Sequence, residues 1–126
     1  MLCWLMCVWV VSAHAEETKL VLHLNEKEKA ATLINMVNNY RAIEPNADIV
    51  VVVNSSGVIR LKRSGGLKQE IMLLLERGVE VGVCNNAIVE NKVNPEVLIP
   101  GVTLLKEGAV ARLVELQKQG YIYIKI

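Results

Sequence analysis

Residues 49–53 read Ile-Val-Val-Val-Val, five β-branched side chains in succession. Such residues favour strands. A strand with no polar position on either face is stable only where both faces are covered, as in the interior of a parallel sheet. Parallel neighbours cannot be joined by hairpins, so this one run already asks for crossover helices on the sheet faces. The rest of the chain supplies them. Residues 19–24 read as a strand, followed by Asn25-Glu26-Lys27-Glu28, where Asn25 can cap a helix and Glu28, three places on, can return the bond. That helix should run to about Ala42, with Ala30, Leu33, Ile34, Val37 and Tyr40 or Arg41 on one buried stripe. After Asn54-Ser55-Ser56-Gly57 and residues 58–63, a second helix is predicted over 67–77, with Leu67, Ile71, Leu74 and Leu75 inward and Gly78 as its left-handed stop. Residues 79–83 form a third strand, 87–91 a short helix and 102–105 a fourth strand. A last helix covers 107–119 with Val110, Leu113 and Val114 inward, and 121–126 alternate strictly, as an edge or interface strand does. The expected architecture is α/β: a three-layer α/β/α sandwich with a mostly parallel sheet of about five strands.

The first fifteen residues stand apart. Thirteen are apolar and none is acidic or basic, and Ala13 and Ala15 precede the charged pair Glu16-Glu17. This matches the hydrophobic segment and cleavage site of a secretory signal peptide, and is too short for a membrane span of about 20 residues. The expectation is a leader over 1–15, a single mature domain over 16–126, and a periplasmic or secreted protein with no membrane attachment after cleavage. A net charge of +1 gives no reason to expect a nucleic-acid partner. With both tryptophans in the leader, three tyrosines are the only aromatic rings of the mature chain, too few for a base-stacking surface. Cys84 and His23 are likewise its only cysteine and histidine. An internal disulfide is therefore impossible, a conventional metal site within one chain is not expected, and no cofactor motif is present.

In open parallel sheets the functional crevice lies beyond the carboxyl ends of the strands. The first strand ends in His23-Leu24-Asn25, the second in Asn54-Ser55-Ser56-Gly57 and the third in Cys84-Asn85-Asn86. If these three strands are neighbours, the lone thiol, the lone imidazole and several amides converge. Cys84 is the sharpest candidate, because a thiol at the start of a helix meets unpaired N–H groups that favour its reactive, ionised form. The alternative is a small buried hydrophobe continuing the strand. His23 can hold a proton or an anionic group beside the thiol or serve as a hydrogen-bonded rim residue. Asn54, Asn85 and Asn86 can donate to a ligand or form turns. Ser64-Gly65-Gly66, with Arg60, Lys62 and Arg63 nearby, reads better as a solvated basic loop than as an anion site, and it lacks the ending of a phosphate-binding loop.

The residues Leu22-His23-Leu24-Asn25-Glu26, Asn38-Asn39-Tyr40-Arg41-Ala42, the stretch from Gly78 to Asn86 and the ending from Leu113 to Ile124 together resemble the small DsrE/DsrF-like proteins in order and spacing. The resemblance spans nearly all of residues 19–126. It implies the three-layer α/β fold, assembly into trimers or hexamers and, as in sulfur-relay members, a cysteine that carries persulfide sulfur between a donor and an acceptor protein. Cys84 matches that cysteine's position. Relatives often have His-Gly where this chain has Asn54-Ser55, and Cys-Gly-Asn-Thr where it has Cys84-Asn85-Asn86-Ala87. The expected function is a sulfur carrier or sulfurtransferase using Cys84, with His23 and the asparagines orienting the sulfur. The alternative is a non-catalytic oligomeric module binding a small anion or metabolite at the same rim.

Overall fold

The β-branched run forms the middle of the sheet. In a computed structural model, which describes residues 7–9 and 17–126, five strands are arranged β4-β3-β2-β1-β5, all parallel. They are β1 (Lys19–Leu24), β2 (Asp48–Val53), β3 (Glu80–Cys84), β4 (Thr103–Leu105) and β5 (Ile122–Lys125). Residues 49–53 of β2 are all buried, with two covered flanks as their composition requires. Most of the expected leader lies outside the described residues. No helix among those described is long and apolar enough to cross a membrane.

Four α-helices join the strands: α1 (Ala30–Ile43), α2 (Lys68–Glu76), α3 (Asn85–Glu90) and α4 (Ala109–Lys118). Leu33 and Ile34 of α1, with Ile71 and Leu74 of α2, pack on Leu24, Val51, Val53 and Val81 on one sheet face. The opposite face, carrying Val21, Val50 and Val52, is covered by α4 through Ala109, Leu113 and Leu116. The chain moves stepwise from β1 to β4 with its long helices on one face, then returns past β1 to β5 with α4 on the other. Right-handed crossovers in opposite directions demand opposite faces.

Three local readings need correction. Asn25 does not cap a helix: a short 3₁₀ turn over Lys27–Lys29 comes first, without a side-chain cap. The Lys27 amide that an Asn25 cap would engage donates instead to Ser56 Oγ at 3.1 Å, a bond from the loop after β2. The last helix starts at Ala109, and its buried stripe is Ala109, Leu113 and Leu116, leaving Val110 and Val114 exposed at 72% and 44%. The short helix begins two residues earlier than expected, so Asn85 and Asn86 belong to its first turn. Between β2 and α2 the chain forms a seven-residue 3₁₀ segment, Ser55–Leu61. Its Gly57 is fixed by close approach: a Cβ there would lie 2.8 Å from Val53 Cγ1 and 3.2 Å from the Leu24 carbonyl.

At the amino-terminal end of the sheet, Tyr121 donates its hydroxyl hydrogen to Asp48 Oδ2, tying the approach to β5 to the start of β2. Burial first, and then the Asp48 carboxylate, push the Tyr121 pKa up from 10.0 to about 12. The folded chain thus retains a proton that the unfolded chain loses near pH 10. This contribution to stability is complete below pH 10 and is lost as the pH rises through 12. Phenolate absorbance titration should show one late-titrating tyrosine that disappears in Tyr121→Phe. If the lost step instead falls near pH 10, the Asp48 contact does not hold in solution.

Candidate functional site

Register decides what meets at the carboxyl edge. Val53 pairs with Val83, so Asn54 and Cys84 occupy the next positions of adjacent chains and point to the same side of the sheet. Both line a cavity of about 310 Å³, together with Ser55, Asn86, Glu90 and Glu107 and with the backbone turn into α4 at Gly108, Ala109 and Val110. Cys84 is only 6% exposed, so the sulfur is packed yet borders open space. The reactive and the buried readings of this residue therefore describe one environment. Apolar neighbours hold the thiol, and the cavity is its approach.

Two helix beginnings converge here. Cys84, the last residue of β3, immediately precedes α3. The second beginning was not anticipated. Gly108 precedes α4 with φ 95°, and a Cβ placed there would be 4.0 Å from Cys84 Sγ. The first helical bond of α4 is from the Arg112 amide to the Gly108 carbonyl at 3.4 Å. The amides of Ala109 to Ala111 therefore carry no bond within the helix, and the positive end of a ten-residue helix borders the cavity. Glu90 and Glu107 add carboxylates to the lining, and no lysine or arginine belongs to it. Ser55 enters the site with φ 51°, an uncommon left-handed conformation for a residue other than glycine.

His23 is 9% exposed and does not line the cavity. Its Nε2 lies 2.9 Å from Asn54 Oδ1 and its Nδ1 lies 2.7 Å from the Tyr123 hydroxyl on β5. Asn54 is thus the shared member: its oxygen meets the imidazole, and its side chain lines the thiol cavity. The structure brings Cys84, Asn54 and Asn86 together, sets His23 one residue behind them, and leaves Asn85 out of the lining. The partner role of Tyr123 escaped sequence reading. The only signal for it was the alternation of residues 121–126, which puts Tyr123 on one face but does not say which strand lies beside it.

The basic loop before α2 proves to be tied to backbone. Arg60 Nη1 donates to the Gly65 carbonyl at 2.9 Å, and Arg63 Nη2 to that of Glu96 at 2.8 Å. Among the described residues, no group of three or more His, Cys, Asp or Glu is placed to hold a metal ion.

The sequence profile described as the DsrE/DsrF-like family matches residues 9–126. The chain belongs to the DsrE/DsrF-like family. Membership points to a sulfur-relay-like role. Among solved structures, a protein of unknown function from Methanobacterium thermoautotrophicum is similar at 27% identity with a TM-score of 0.82. That match covers 87% of this chain and 100% of the other. The ychN protein of E. coli shares the fold at 16% identity and a TM-score of 0.73, over 86% of this chain and all of its own. A conserved protein of unknown function from Bacteroides thetaiotaomicron does so at 18% and 0.67, over 86% and 95% of the two chains. No curated protein matches.

The cavity sets a size limit on approach to the thiol. In the native chain, with Cys84 as the thiol followed, a compact reagent such as methyl methanethiosulfonate should react much faster than an aromatic disulfide such as DTNB, relative to their rates in urea. Equal native and denatured selectivity would show that the cavity is not the route.

Proposed function

We propose that this DsrE/DsrF-like protein handles sulfane sulfur, carried as a persulfide on Cys84. The observation that carries the reading is the otherwise buried Cys84 sulfur bordering a polar cavity at the positive end of α4. In the proposed step the Cys84 thiolate attacks the outer sulfur of a persulfide donor, R–S–SH. A new sulfur–sulfur bond forms on Cys84, the donor's sulfur–sulfur bond breaks, and R–S⁻ leaves as a thiolate. No external oxidant or reductant is consumed. A cavity of this size admits a compact donor group, and the amides at the start of α4 that carry no bond within the helix are available as hydrogen-bond donors at its edge. His23, Asn54, Asn85 and Asn86 are the proposed orienting residues, with Asn85 acting from outside the lining. The rival reading, a module that only binds a small anion, would have to hold its ligand without a covalent bond in a lining that has Glu90 and Glu107 and no basic side chain, whereas a persulfide is held by its sulfur–sulfur bond. We place the activity in the periplasm or outside the cell on the strength of the apolar leader.

We further propose that the chain works as a homo-oligomer, a trimer or hexamer, through the uncovered side of β5. There Ile122 and Ile124 join Leu20, Leu22, Met36 and Ile43 in an apolar groove of about 410 Å³. Ile43 is 75% and Ile122 58% exposed, and among the described residues the outer edge of β5 has no strand partner.

Mass spectrometry of the native protein after exposure to a persulfide donor should find one added sulfur atom on Cys84. The adduct should be absent from Cys84→Ser and much reduced when the same protein is treated in urea. Equal labelling of native and denatured chains would sink the site-specific role. For the assembly, light scattering at micromolar concentration should give a multiple of the chain mass, and Ile122→Asp with Ile124→Asp should return a monomer. A monomeric wild-type chain would overturn that reading.

A further inference from the structure

We infer that Glu90 and Glu107 determine which sulfur donor reaches Cys84: their carboxylates favour a donor that is neutral or positively charged beside its sulfur and turn away anionic donors such as thiosulfate. The inference names a substrate class for the sulfur-carrying reading and rests on it.

Charge at the cavity depends on which carboxylates are neutralised and which are not. Glu80 lies on the same face of β3 as Cys84, and it meets Arg112 at 3.1 Å. Glu115 of α4 meets the same guanidinium at 3.3 Å. The acidic side chains next door are thus balanced. Those at the thiol are not. Among the described residues neither Glu90 nor Glu107 belongs to an ion pair, and the cavity lining holds no basic side chain. Lys106 precedes Glu107 in the chain, but it lines the adjoining groove with Arg112 and not the thiol cavity.

The start of α4 acts in the opposite sense, since the unbonded amides of a helix end carry the equivalent of about half a positive charge. Two carboxylates outweigh it, and the attacking Cys84 thiolate adds a third negative charge. A dianion such as thiosulfate is repelled by all three and finds no side-chain cation to hold it. A donor R–S–SH whose R carries an ammonium or guanidinium group is attracted instead. Cys84 takes its outer sulfur, the donor's sulfur–sulfur bond breaks, and R–S⁻ leaves together with its cationic group. The reaction that supplies this protein must then place sulfur on a thiol with neutral or basic surroundings, and not release it as a sulfur oxyanion.

Two compact donors, the persulfides of cysteamine and of 3-mercaptopropionate, carry opposite charges on R. Their rates of sulfur transfer to Cys84 are to be measured at low salt by mass spectrometry, and comparing their ratio between chains cancels the intrinsic reactivity of each donor. The cationic-to-anionic rate ratio should fall about threefold in Glu90→Gln or Glu107→Gln and about tenfold in the double variant. Glu70→Gln removes an exposed carboxylate from α2, on the opposite face of the sheet, and should leave the ratio unchanged. A ratio unmoved in the double variant, or moved as far in Glu70→Gln, would overturn the inference. The cationic and anionic methanethiosulfonates MTSET and MTSES repeat the comparison without sulfane sulfur, because they need only an accessible thiol. A shift in their ratio in a protein that takes up no sulfur would refute the sulfur reading and leave the charge selection standing. Sulfur uptake with neither ratio shifted would overturn the charge selection alone.

Discussion

The shared register of β1, β2 and β3 is the constraint from which the site follows. His23, Asn54 and Cys84 are separated by 31 and 30 positions in the sequence, and only parallel pairing of three adjacent strands brings their ends level. The register is held in turn by β2, whose buried residues offer no polar side chain until Asn54. A one-residue slip on either side would turn His23 or Cys84 to the face that packs on α1 and α2. It would also leave a buried imidazole without partners. The apolar centre and the polar rim are thus one device. The run that demands burial also fixes where polarity resumes.

What can occupy that rim is limited by burial. An imidazole 9% exposed needs partners, and it has them on both nitrogens. A thiol bears burial more easily, because it behaves as a small hydrophobe when neutral. Cys84 can therefore sit among core residues without a hydrogen bond and still border the cavity, which an aspartate or lysine could not do without a compensating charge. The free amides of α4 border it on the side where the cavity allows a reactant to enter.

Much of this was legible in the sequence because it depends on local composition. The five β-branched residues announced a central strand, and the polar residues after each strand announced the rim. The parts that escaped are those in which distant segments compete. Asn25 and Glu28 formed a plausible capping pair, but Ser56 claimed the Lys27 amide first. Val110 and Val114 fit a helical stripe as well as Ala109 and Leu116 do. Periodicity alone does not fix a helix's rotation about its axis; the contact of α4 with the sheet does. The approach of Gly108 to Cys84 was hidden for the same reason, since it depends on β4 lying beside β3.

The edge strand ties the site to an apolar face that the sheet leaves uncovered. β5 is four residues long and among the described residues pairs only with β1, yet it and the residue after it hold His23 twice: the Tyr123 hydroxyl meets the ring, and the Ile126 amide donates to the His23 carbonyl at 3.0 Å. On its other face Ile122 and Ile124 are left in water. Short edge strands fray most readily, because few buried contacts oppose opening. Each opening of β5 would remove the hydroxyl that meets His23 Nδ1 and loosen the ring against which Asn54 rests. Anything that covers the isoleucine face lowers the frequency of that opening without touching the cavity. A contact on one side of a single strand thereby sets how long the Tyr123 hydroxyl on the other side stays against His23.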